Sequence, residues 1–478
     1  MHTDHTVTVD DAVHVIAMVG DLSMGQPTDQ SLRAARLAGR VALADGAGAA
    51  GCAHARLVSL LRWSGCTANA AGFATLLGDD VGGRDAMLRH MLPPDHPLTV
   101  ARVTPLARIH CEVAGDIARM LGLAPEVEAG LRHVWELYDG SGTPDGLRAG
   151  AVPAVVYRTS LAGDLEILAR THGADEALRM IAPWRDVKYP AALVDTVLPH
   201  ARDWLAALAH PDAPAHDTDA PPARRVSLTI VADLVELKLP WLAGHARRVA
   251  ELAERAAALA GLAEEQRACI GRAALIHGIG RAAVPNAVWE CAGKPGGADW
   301  ERIRLAPYWT ARAAEQVPAL RAEAQLASRI YERLDGSGYF RGLEADALAP
   351  AQRLLAAAGA YVALCAPRPW RAAWPQDEAA RLLLADAAAG RFDADAAGCV
   401  IAAAGGSAPP PAARKGLLSE REAEVLRRIS LGESNKEAAR VLGISPSTVR
   451  THVESIFRKL DCSTRAAATL KALTLGLL

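Results

Sequence analysis

The stretches DGSGTPDGLRAGAVPA (Asp139–Ala154) and DGSGYFRGLEADALAP (Asp335–Pro350) match too closely over sixteen positions for chance, so the chain contains an internal tandem repeat. Working outward, LLRWSGC around Arg62 aligns with LIHGIGR around His277. Likewise, GQPTDQSLRAARLA around Ser31 aligns with LPWLAGHARRVAEL around His245. The DGSG loops themselves read as punctuation, because glycine supplies unusual φ angles and aspartate can hydrogen-bond its own backbone two residues on.

Hydrophobic residues make up 51% of the 478-residue chain, much of that alanine, while aromatics are 4%. Alanine is the best helix former and strand-forming runs are scarce, which predicts an all-α fold. Two Pro/Ala-rich polar segments, 210–225 and 405–415, read as linkers. They divide the chain into a first repeat (1–209), a second repeat (226–404) and a small tail domain (416–478), in line with a length prior of roughly three domains.

Net charge is −2, but from Arg414 onward twelve Lys/Arg face seven Asp/Glu, leaving a basic tail on an acidic body. That asymmetry points to the tail as the part that meets a polyanion. The eight cysteines include no CxxC pair, which argues against a zinc cluster or a disulfide framework. The acidic N-terminus and the short apolar run LLAAAGAYVALCA predict no membrane span and a cytoplasmic location.

In their order, these anchors resemble the HD-GYP branch of the HD-domain phosphohydrolases, most strongly over Leu234–Trp374 and more faintly over Val13–Leu208. The resemblance implies a helical fold, bound metal ions and hydrolysis of phosphate esters such as c-di-GMP. It also implies a ligand set: a first-helix His, a His-Asp pair, a downstream His, a His-His pair and a late Asp. In the second repeat His245 and His277 match, but Gly278, Ala306, Ile330, Tyr331 and Gly359 stand at the other positions. In the first, Ser31, Arg62, Trp63, Val134 and Trp135 replace ligands, while His110 and Asp164 match.

A catalytic metal site needs at least three protein ligands, usually with a carboxylate, so these remnants predict no metal and no cofactor. The cleft that remains would be lined by Arg62, Trp63, Trp135, His245, His277 and Tyr331. Aromatic faces and an arginine suit a nucleotide or another small molecule.

The tail reads as successive helices. Ser419 and Glu422 form a capping box, a second helix runs from about Asn435 to Leu442 before Gly443, and Ser445-Pro446 opens a third. On the third, Val449, Val453, Ile456 and Leu460 share one stripe, and Ser447, Arg450, Thr451, Glu454 and Arg458 fall opposite. The tail is similar to the LuxR-type DNA-binding domain over nearly its full length, including Glu422, Gly432, Lys436, Ser445, Val449 and Leu460. That resemblance implies double-stranded DNA as partner and a homodimer formed through a last helix at about Ser463–Leu475. Arg450, Thr451 and Glu454 are then the expected base readers, and Lys436, Ser447, Thr448 and Lys459 the phosphate contacts.

Together these readings predict a transcription regulator with a catalytically inactive HD-GYP-like body that senses or dimerises. The alternative is a phosphodiesterase working through a non-standard site.

Overall fold

The computed structural model describes residues 5–208, 224–405 and 417–478, so nearly all of both predicted linkers lies outside the described residues. The fold is all-α, as expected; among the described residues the one sheet is the pairing of two short strands, Thr6–Thr8 and Arg225–Ser227. No helix among them is long and apolar enough to cross a membrane. The chain forms two compact units, Thr8–Arg225 and Val226–Leu478 with Met1–Val7.

Each unit packs the same trio of helices. In the first these are Gln30–Ala44, Ala49–Leu61 and Ala154–His172; in the second, His245–Leu259, Glu264–Ile276 and Pro350–Leu364. Alanine-rich faces let the helices approach closely, and Ala34, Ala38, Ala253 and Ala257 are fully buried. The helix His245–Leu259 opens on Gly244 with no side-chain cap of its own. Glu236 supplies one from the end of the preceding helix, its carboxylate accepting from the His245 and Ala246 backbone N–H at 3.1 and 2.6 Å. In the first unit Asp21 does the same for the Ser31 N–H.

The helix starts correct two alignments by one residue. Gln30, not Ser31, is the first residue of its helix, as His245 is of its own. Helices Ala154–His172 and Pro350–Leu364 start at the same point after their loops, so Asp164 falls opposite Ala360 rather than Gly359.

The DGSG loops are built as turns. Asp139 and Asp335 each accept the N–H two residues on, from Ser141 and Ser337, and Gly140 and Gly336 take φ of 83° and 74°. Each loop is also held by a carboxylate that sequence reasoning did not single out. Buried Glu136 accepts from the Asp145 and Leu147 N–H, and Glu332 accepts from those of Arg341 and Leu343.

The tail folds as four helices, Glu420–Ser430, Asn435–Leu442, Pro446–Leu460 and Arg465–Leu475, around Val425, Leu426, Ile429, Val449, Val453 and Ile456. Ser419, Ser434, Ser445 and Thr464 each cap the helix that follows. Glu422 ties the first helix to the third through Ser455 Oγ at 2.8 Å and Lys459 Nζ at 2.6 Å. Burial raises its pKa, but Lys459, Ser419 and Ser455 together outweigh that and hold it at about 2. Its ionised form therefore stabilises the fold above the ordinary value of 4.5, and the contribution is lost as pH falls toward 2. Glu422→Ala should destabilise the tail by about 1.5–3 kcal/mol at pH 7. Amide exchange of residues 417–478 in the intact chain reads this, and the gap to wild type should narrow below pH 4.5.

The tail's last helix is packed within its unit. It lies against Thr229–Glu236, with Leu470 and Leu473 buried and Leu473 3.9 Å from the Cβ position of Gly244. Alongside, Pro240 sits 3.2 Å from the Cβ position of Gly432.

Candidate functional site

His277 ends the helix Glu264–Ile276 and is buried. Its Nδ1 faces the Ala274 carbonyl at 2.5 Å, an arrangement that places the ring proton there and leaves the lone pair on Nε2. That lone pair faces Arg281, whose Nη2 lies 3.1 Å from Nε2 and donates to the Tyr331 hydroxyl at 2.7 Å. Arg281 Nη1 is buried with no hydrogen-bond partner. It stands 3.2 Å from where a Cβ on Gly278 would be, so the glycine leaves room for the guanidinium.

Around this arrangement is a cavity of about 200 Å³ lined by His245, His277, Arg281, Tyr331, Arg333 and Arg368, with Trp241 and Trp370 at one side. Burial drives His277 to a pKa of about 3, with Arg281 adding to the effect. Burial and Arg281 likewise hold His245 well below its ordinary value, so both imidazoles are neutral. Burial and the neighbouring Arg281 and Arg371 charges bring Arg368 down to about 10. The cavity is thus cationic, and no carboxylate is among the residues lining it.

The divalent cations implied by the sequence resemblance do not fit this donor set. Two imidazoles remain, one lone pair is engaged by a guanidinium, and the local charge repels a cation.

In the first unit Arg62, which holds the place of His277, lies with its guanidinium 3.9 Å from the centre of the Trp63 ring. It occupies the space where a Cβ on Gly163 would stand. Arg62 and Trp63 are buried behind the cleft and do not line its cavity, whereas Trp135 and His110 do. Asp164 is bonded to Lys188 and Tyr189 and is not among the residues lining the cavity. The six pocket candidates thus fall in separate places: His245, His277 and Tyr331 share one cavity, and Trp135 lines another. One group with metal-ligand spacing, His133, Glu136 and Asp145, occurs among the described residues. There, however, both Glu136 oxygens already hold loop N–H groups.

On the helix Pro446–Leu460 the stripe Val449, Val453, Ile456 and Leu460 is buried. Ser447, Thr448, Arg450, Thr451 and Glu454 are exposed on the other side. Arg450 Nε reaches Glu454 at 2.9 Å, with 76% and 62% of the two side chains exposed. Lys436 is exposed on the preceding helix, while Lys459 is engaged with Glu422.

Residues 229–396 match the HD domain model, and residues 416–472 match that of the bacterial regulatory proteins of the luxR family. The chain joins an HD domain to a LuxR-type regulatory domain. The chain is similar to the 3'3'-cGAMP-specific phosphodiesterase 3 of Vibrio cholerae, 29% identical over 290 residues, which cover 58% of this chain and 63% of that protein. The chain therefore spans less than two thirds of that relative's length, and only 38% of the length of phosphodiesterase 1 from the same organism. The crystal structure of a cyclic GMP-AMP-specific phosphodiesterase from V. cholerae superposes with a TM-score of 0.58 at 20% identity, covering 84% of this chain and 99% of that one. This likeness shows the fold.

The LuxR-type domain is 48% identical over 62 residues to the probable transcriptional regulatory protein NarL of Mycobacterium tuberculosis, covering 13% of this chain and 29% of that protein. Its presence supports a DNA-binding regulator. Arg281 was missed by sequence reasoning although it lies in the HGIGR stretch itself, one helical turn after His277.

Proposed function

We propose that this protein is a cytoplasmic, DNA-binding transcription regulator whose HD body binds a phosphate-bearing ligand without hydrolysing it. The observation carrying the second half is Arg281, a fixed cation on the His277 lone pair in a cavity lined by no carboxylate. Such a site attracts the anion of a phosphate ester but lacks the ligands for a metal-activated water. At about 200 Å³ the cavity is smaller than the roughly 300–1,000 Å³ that encloses a drug-sized ligand. It suits a phosphate with part of a nucleoside against Trp241, Trp370 or Tyr331. The named substrate of the V. cholerae relatives makes 3'3'-cGAMP the first nucleotide to try.

The link to DNA runs through Pro240–Leu242. Trp241 and Leu242 line the cavity, while Pro240 packs on Gly432 of the LuxR-type domain. A ligand that binds the docked and released arrangements of that domain unequally shifts their populations, and with them the freedom of the helix Arg465–Leu475 to pair with a second copy. Bases are read by Arg450, Thr451 and Glu454, and phosphates are held by Lys436, Ser447, Thr448 and Lys459.

Selection of genomic fragments by the intact chain, followed by sequencing, tests the first half. Enrichment of a short motif with two related half-sites is expected. Uniform capture of all fragments, fading equally with salt, would sink the reading as a regulator of specific genes.

A further inference from the structure

The cleft of the first unit has become a different kind of site. Its cavity, about 510 Å³, falls in the range that encloses a whole small molecule. The walls are mostly apolar: Met24, Phe73, Ala107, Trp135 and Trp184 surround it, and Leu98, Val100 and Val103 stand at the opening. Val100 is 62% exposed there.

The two cations on the wall are already engaged. Lys188 pairs with Asp164. Arg84 stacks 4.4 Å from the centre of Phe73 and donates to Asn69 Oδ1 at 2.5 Å and the Ser23 carbonyl at 3.4 Å. Among the buried polar atoms of the lining residues, one is left over: His110, fully buried, has its Nδ1 3.5 Å from Cys66 Sγ and its Nε2 without a partner. A buried nitrogen left unpaired is destabilising, so a ligand that reaches it recovers that loss.

We infer that this cavity binds a neutral, largely apolar small molecule carrying one hydrogen-bonding group that pairs with His110 Nε2. The contrast with the second unit is one of charge. There three guanidiniums and two neutral imidazoles line 200 Å³, whereas here mostly apolar side chains line 510 Å³, its two cations Arg84 and Lys188 being paired within the wall, with the buried His110 Nε2 open. A chain with both sites would respond to two chemically unrelated signals.

The test uses N-phenyl-1-naphthylamine, a neutral fluorophore with one N–H, titrated into the intact chain. Saturable binding at one per chain is expected. Val103→Trp and, at the more exposed rim, Val100→Trp should each weaken it at least tenfold, while Arg281→Ala should leave it unchanged. That last variant separates this site from the arginine-lined cleft, so either site can fail without the other. Among competitors, 1-decanol should displace the probe at lower concentration than decanoate. Absence of saturable binding, indifference to both tryptophans, loss with Arg281→Ala, or preference for decanoate would each overturn the inference.

Discussion

Arg450→Ala is expected to weaken binding to an operator by about 1–3 kcal/mol, roughly 5- to 150-fold, and to relax preference at one base pair of each half-site. Val449 and Val453 fix the back of the helix in the core, which aims Arg450 outward with a guanidinium able to make two parallel bonds to guanine. In the free protein that guanidinium is occupied only by exposed Glu454, a pair worth a few tenths of a kcal/mol, so it is released at little cost. Lys436→Ala should behave differently, weakening all sequences alike and lowering the slope of affinity against salt. A loss of affinity without any change in base preference would remove Arg450 from the readers. Lys459→Ala should show up in stability as well as affinity, because Lys459 is bonded to Glu422.

Arg281→Ala is expected to cost at least tenfold in affinity for a phosphate-bearing nucleotide, measured with 3'3'-cGAMP or GMP by calorimetry. A charge-assisted bond contributes about 1.5–3 kcal/mol, and Arg281 holds a buried N–H with no competing acceptor. Gly278→Asp gives a sharper form of the same test. Gly278 has φ −81°, so a side chain is tolerated there, and a carboxylate at that position would meet Arg281 Nη1 before any metal. The variant should lose nucleotide affinity, gain thermal stability and acquire no metal. Retention of nucleotide binding by both variants would mean that Arg281 is not the anion's partner.

Much of this was legible in the sequence where the determinants are local. Ser419 with Glu422, Gly443 and Ser445-Pro446 mark the tail's helix ends by short-range hydrogen bonds, and the structure places the ends there. The period of Val449, Val453, Ile456 and Leu460 likewise determined the buried face. The clefts were less legible because their chemistry depends on residues far apart. Nothing near Arg62 says that its guanidinium fills the space over Gly163 and so leaves the cavity to Trp135 and His110. The one-residue slip at Ser31 arose because the helix start was inferred from sequence likeness, while Asp21 and Glu236 set it from the preceding helices; at Gly359 the spacing from the paired DGSG loops already places Asp164 opposite Ala360. Arg281 was local and still overlooked. Its meaning depends on the Nε2 lone pair of His277 and on Tyr331, fifty residues away.

Whether the HD body holds a phosphate ester without cutting it can be read from one incubation. The intact chain is mixed with 3'3'-cGAMP or c-di-GMP in the presence of Mn²⁺ or Fe²⁺, and the nucleotides are quantified over time. The nucleotides are expected to be recovered intact, with no stoichiometric metal on the protein. Metal-dependent turnover to linear or mononucleotide product, accompanied by bound metal, would contradict it.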